Sequence, residues 1–137
     1  MSDDVLIDVS RETMALLKQL RTLVEKWNRS INLISKSTVP DMWNRHIIDS
    51  AQIFYARKKS FKKWLDIGSG AGFPGLVVAI LAQDKNINGE IVLVESDRRK
   101  CAFLSTVKRE LNLKISVINN RIEVCSCLLY TSDAADE

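Results

Sequence analysis

The stretch Trp64–Gly75, WLDIGSGAGFPG, places four glycines within eight residues directly behind an apolar, strand-like run. A loop this bare at the end of a strand lets a ligand lie against backbone. The spacing Gly70-x-Gly72-x-x-Gly75 also fits the dinucleotide fingerprint, in which a pyrophosphate rests on amide donors at a helix N-terminus. Pro74 stands where those donors would point and has no N–H, which weakens the pyrophosphate reading. Asp66, two residues before the first glycine, gives the loop the form D-x-G-x-G-x-G and sets a carboxylate beside it. A ligand with a cationic end and no phosphate suits that arrangement, and S-adenosyl-L-methionine is one.

Outward from the loop, strand and helix patterns alternate. Trp64–Ile67, Ile91–Glu95 and Ile115–Ile118 read as strands; Gly75–Ala82 and Arg98–Leu111 read as helices. That order predicts an α/β fold with a parallel sheet, the first half of a doubly wound domain. Glu95 closes the second strand, where a carboxylate accepts from both hydroxyls of a ribose and repels a 2′-phosphate. The alternative for Asp66 and Glu95 is a helix cap or a solvated strand end.

Upstream, Met14, Leu17, Leu20, Val24 and Trp27 recur at helical spacing from about Ser10 to Trp27 and read as core packing. Asn28–Ser37 reads as turn, with Asn28, Asn32 and Ser35 as turn-formers. A second helix is expected from Thr38 as N-cap, with Pro40 in its first turn and Asp41 at N3, ending near Arg57. It would present Trp43, Ile47, Ala51 and Phe54 on one side. Arg45, His46, Asp49 and Ser50 lie on it, and His46 with Asp49 can share a face. As a pair they are either structural or border the ligand cleft. The run ARKKSFKK, Ala56–Lys63, holds five basic residues around Phe61. It is either a solvated face or a contact for RNA phosphates, as are Arg98, Arg99, Lys108 and Arg109.

The 137 residues suit soluble domain composition, 46% hydrophobic and 27% charged. No apolar run approaches the roughly 20 residues that span a bilayer, and the acidic N-terminus does not resemble a signal peptide. A cytoplasmic monomer is expected. Cys101, Cys125 and Cys127 with a single histidine predict neither a disulfide nor a metal site. The last eleven residues, CLLYTSDAADE, match none of the surrounding pattern and read as an adapter-derived tail. They carry Asp133, Asp136 and Glu137, three of the 17 acidic residues, and 14 then stand against 20 basic ones, a balance of +6. The expected organisation is a helical extension over 1–62, half a Rossmann-like domain over 63–126 and a non-native tail over 127–137.

Beside these readings, the motifs KWNRSINLIS (Lys26–Ser35), RHIIDS (Arg45–Ser50), LDIGSGAGFPGL (Leu65–Leu76), RRKCAFL (Arg98–Leu104) and NRIE (Asn120–Glu123) resemble one family. It is that of the 16S ribosomal RNA guanine-N7 methyltransferases (GidB, RsmG), and the likeness runs from about Leu16 to Glu123. It implies a Rossmann-like class I methyltransferase fold and S-adenosyl-L-methionine as cofactor. Gly68 and Phe73 would line the pocket with Asp66 and Gly70, Glu95 would hold the ribose, and Ile122 with Glu123 would meet the adenine. The product implied is 7-methylguanine in 16S ribosomal RNA. The family's further cofactor-contacting arginine falls on a fourth strand that this sequence lacks, so weak cofactor binding without transfer is expected of the chain as it stands. Alternatives of other classes are a fragment of an NAD-dependent oxidoreductase and a non-catalytic RNA-binding module.

Overall fold

The computed structural model describes residues 3–6, 8–56 and 61–121. A short 3-10 turn, Asp3–Leu6, precedes helix α1, Arg11–Asn28. Ser10 starts α1 by accepting a hydrogen bond from Thr13 N at 3.0 Å. The expected stripe faces inward: Leu17, Leu20 and Val24 are buried, and Trp27 packs edge-on against Phe103 at 5.7 Å. Asn28 ends the helix as a turn-former, its Oδ1 accepting from Leu33 N at 2.8 Å and Ile34 N at 3.0 Å.

The second helix differs from the expectation. Thr38 is not its N-cap; it sits inside a 3-10 segment, Lys36–Asp41, that also contains Pro40. Its hydroxyl donates back to Ser35 O. A π-helical turn, Trp43–Ile48, follows, and only then α2, Asp49–Ala56. Pro40 supplies no N–H to a regular ladder. The wide turn, with its i→i+5 period, also matches the five-residue step between Met42 and Ile47, both fully buried. Ile47, Ala51 and Phe54 nevertheless share the expected inner side.

The sheet is parallel with strand order β1-β2-β3, formed by Lys63–Ile67, Glu90–Glu95 and Ser116–Asn119. Helix α3, Gly75–Asp84, connects the first pair and α4, Arg98–Leu111, the second. Residues Gly75–Ala82 of α3 are all buried, as a helix held between a sheet and a second helical layer must be. That layer is α1 against α3 and α4, with α2 against α3. Strand residues alternate between two faces: Trp64, Ile91 and Leu93 join the helices in the main core. Leu65, Ile67, Val92, Val94 and Ile118 form a separate apolar cluster on the opposite face.

Two further contacts brace the core, one between helices α1 and α3 and one at the entry to β1. The buried Asp84 side chain, at the end of α3, accepts from Ser10 N at 3.1 Å and Thr13 Oγ1 at 2.7 Å. Burial pulls its pKa upward, but the bonds from Thr13 and Ser10 and the charge of Lys85 outweigh that and hold it below the ordinary aspartate range. Phe61, inside the basic run, makes the second contact. It is buried and packs edge-on against Trp64 at 5.4 Å, so it is a core anchor rather than a base-stacking ring. Residues 57–60 of that run lie outside the described residues. Among the described residues no helix is long and apolar enough to cross a membrane.

Candidate functional site

The glycine loop leaves β1 at the carboxyl edge of the sheet, and β2 holds it there. Val94 O accepts from Gly68 N at 2.8 Å and from Ser69 N at 3.2 Å. The Glu95 carboxylate is buried and uses both oxygens: Oε1 accepts from Gly70 N at 2.7 Å and Oε2 from Asp97 N at 2.9 Å. A carboxylate offers about four lone-pair sites, so two remain for hydroxyl donors of a ligand. The loop glycines divide by surroundings. A Cβ on Gly68 or Gly70 would meet nothing within 4 Å, which leaves open space over that part of the loop. A Cβ on Gly72 or Gly75 would strike packed side chains.

Asp66 points the other way, down onto α3. Its Oδ2 accepts from Gly75 N at 2.9 Å, and Leu76 N is bound to Gly72 O at 2.6 Å. Pro74, which precedes the helix, has no N–H to offer. Two amide donors at this helix end, Gly75 N and Leu76 N, are therefore already satisfied, Pro74 lacks a third, and the Asp66 carboxylate adds negative charge beside them. A phosphate arriving at this helix end meets charge repulsion instead of a nest. Nothing in that arrangement opposes a cation.

Burial raises the Asp66 pKa to about 6, against the lowering effect of the Gly75 hydrogen bond. The sign of its effect on stability follows. With the folded value above the unfolded one, near 3.9, the contribution is fully present below about pH 4. It is lost as pH rises through about 6, at a cost of about 1–3 kcal/mol at neutral pH. Asp66→Asn keeps an acceptor for Gly75 N and removes the charge. Urea melts at pH 7.5 are expected to show this variant more stable than wild type by about 1–3 kcal/mol, a difference that shrinks by pH 4.5. A variant less stable at pH 7.5 would mean that the ionised form is the better cap.

From the N-terminal layer, His46 reaches the loop. Its ring stacks on Phe73 at 5.1 Å with 19° between planes, while His46 O accepts from Ser50 Oγ at 2.6 Å. Burial and the charge of Arg45 outweigh Asp49 and lower the His46 pKa, which keeps the imidazole neutral near pH 7. Arg45 is exposed and turns back to Asp41 at 3.2 Å; Asp49 is exposed and acts on His46 through its charge alone. Of the three, His46 is the one the fold brings onto the loop. Ile122 and Glu123 lie outside the described residues.

Sequence reasoning passed over Asn119. This last residue of β3 stands in register with Glu95, and its amide reaches Glu95 O and Ser96 O, each at 3.1 Å. Its one visible signal was an asparagine ending a strand of β-formers. Cys101 is a buried free thiol that donates to the same Glu95 carbonyl at 3.2 Å. Among the described residues no group of three or more His, Cys, Asp or Glu could hold a metal ion.

Comparison with known proteins finds related chains. The family model described as rRNA small subunit methyltransferase G matches residues 13–134. The ribosomal RNA small subunit methyltransferase G of Cereibacter sphaeroides (strain ATCC 17029 / ATH 2.4.9) is 52% identical over 117 residues, 85% of this chain and 57% of that protein. The protein of the same name from Jannaschia sp. (strain CCS1) is 50% identical over 114 residues, 83% of this chain and 54% of its own. That of Bartonella tribocorum (strain CIP 105476 / IBS 506) is 52% identical over 120 residues, 88% and 55%. The chain thus spans little more than half the length of these relatives.

Proposed function

The chain belongs to the rRNA small subunit methyltransferase G family, and on that footing we propose that its glycine loop binds S-adenosyl-L-methionine for methylation of a guanine N7 in 16S ribosomal RNA. The observation that carries the cofactor choice is the closed N-terminus of α3, where Asp66 and Pro74 stand in place of phosphate-binding donors. The residues fit the group. The open space over Gly68 and Gly70 admits it, and Glu95 has lone pairs left for its ribose. When bound, S-adenosyl-L-methionine supplies a methyl group activated by a sulfonium.

The chain's own residues position rather than transfer protons. Guanine N7 carries a lone pair and no proton, so its attack on a methyl group needs no general base, and alignment supplies most of the acceleration. Phe73, held by His46, forms one wall beside the loop. The neutral imidazole adds no positive charge next to a cationic ligand. Arg98, Arg99, Lys108 and Arg109 are exposed along α4 and offer contacts to RNA phosphates, which would orient the RNA without identifying the base. Ribosomal RNA as substrate implies the cytoplasm, and the chain acts as a monomer.

The test is methyl transfer. The 137-residue chain is incubated with radiolabelled S-adenosyl-L-methionine and either small ribosomal subunits or deproteinised 16S ribosomal RNA. The chain as it stands is expected to transfer little or nothing, and any label that digestion recovers is expected in 7-methylguanine and in no other nucleoside. Label in another base would overturn the assignment of the acceptor.

A further inference from the structure

The dense bonding around Glu95 continues beyond its carboxylate to its backbone. Glu95 O accepts from Asn119 Nδ2 at 3.1 Å, from Asn120 N at 3.1 Å and from Cys101 Sγ at 3.2 Å. Asn119 Nδ2 also lies 3.1 Å from Ser96 O and 3.2 Å from Cys101 Sγ. A primary amide has two hydrogens. One is directed to each of two consecutive carbonyls, Glu95 and Ser96, and the thiol sulfur shares one of them. The amide thus clamps the bend Glu95–Ser96–Asp97 from the neighbouring strand. That bend orients both the Glu95 side chain and the Asp97 N–H it accepts from.

Stability alone does not account for an asparagine here. Asn119 is exposed, at the end of an edge strand, where a hydrogen bond contributes little and a β-branched residue would extend the ladder better. A clamp on the backbone of one particular carboxylate has a clearer use. Side chains that hold a ligand must themselves be held within about half an ångström of the productive position, and neighbours supply that hold.

We propose that Asn119 is a positioning residue that fixes the Glu95 carboxylate for ribose recognition by clamping the Glu95–Ser96 carbonyls, with Cys101 as its buried counterpart on the same carbonyl. This rests on the reading of Glu95 as the ribose acceptor. Asn119 touches no ligand in this account; its influence passes through Glu95.

The test is a pair of calorimetric titrations of the 137-residue chain, one with S-adenosylhomocysteine and one with its 2′-deoxyribose analogue. Wild type is expected to prefer the ribose form by about tenfold, as the loss of a charge-assisted hydrogen bond implies. Asn119→Ala is expected to weaken the ribose form by about three- to tenfold and the deoxy form by less than about twofold, so that the preference collapses. Cys101→Ala, which keeps the exposed strand end intact, is expected to shift the preference the same way by less. A merely structural role would lower both affinities together and leave their ratio unchanged; that result in both variants overturns the proposal while sparing the reading of Glu95. A wild-type chain that binds both ligands equally overturns the reading of Glu95, and the proposal with it.

Discussion

Gly72→Ala is expected to destabilise the chain by about 2–5 kcal/mol, the largest loss for any single methyl group in the loop. Two costs add. The residue has φ +89, and a side chain there costs about 1–2 kcal/mol by crowding the following carbonyl. The new Cβ would also run into Leu76, whose Cγ lies 2.6 Å away, and meet Leu104 Cδ2 at 3.0 Å. Leu76 and Leu104 are fully buried, so neither can swing aside, and overpacking of this kind costs about 1–3 kcal/mol. Urea denaturation is the measurement. Gly68→Ala is the control. Its Cβ meets nothing within 4 Å, so it should bear the backbone cost alone and be clearly the milder change. Equal losses at the two positions would mean that packing against α4 does not shape the loop.

Glu95→Ala is expected to weaken S-adenosyl-L-methionine binding by about 100-fold or more. Two charge-assisted hydrogen bonds to ribose hydroxyls contribute about 1.5–3 kcal/mol each, and each 1.4 kcal/mol is tenfold in affinity. The substitution also leaves Gly70 N and Asp97 N without their acceptor, and this loosens the loop as well as the ligand. Glu95→Gln separates the effects. One oxygen still accepts, but the new amide hydrogens face a backbone donor, so an intermediate loss, on the order of tenfold, is expected. Calorimetric titration reads both variants. If Glu95→Gln binds as tightly as wild type, the charge of Glu95 plays no part in holding the cofactor.

Residues that use local chemistry to mark their own places were the most legible in the sequence. Helix α4 runs over Arg98–Leu111 as its pattern predicts, because Asp97 caps its start and Asn112 adopts the left-handed conformation at its end. The three strands stand within a residue of their predicted bounds, since apolar runs between turn signals leave little choice. The segment after Ser35 was misread because Pro40 and Asp41 imitate a helix start. Where the chain bends there is decided by the burial of Met42 and Ile47, a tertiary demand that no local pattern announces.

The site divides in the same way. The glycines and Glu95 were visible as a loop with a carboxylate at the next strand end. Of the roles left open for Asp66, the structure shows the helix cap, through Gly75 N at the start of α3. His46 on Phe73 and Asn119 on Glu95 could not be read from spacing, because each joins elements that lie apart in the sequence. Only the packing of the helical layer and the register of β3 bring them together.

The most direct measurement is a competitive titration of the 137-residue chain with S-adenosyl-L-methionine and NAD at pH 7.5. With Asp66 and Pro74 closing the end of α3, S-adenosyl-L-methionine is expected to bind and NAD, at tenfold higher concentration, to leave that binding unchanged. Displacement of S-adenosyl-L-methionine by NAD would contradict the account, because it would show that this helix end accepts a pyrophosphate after all.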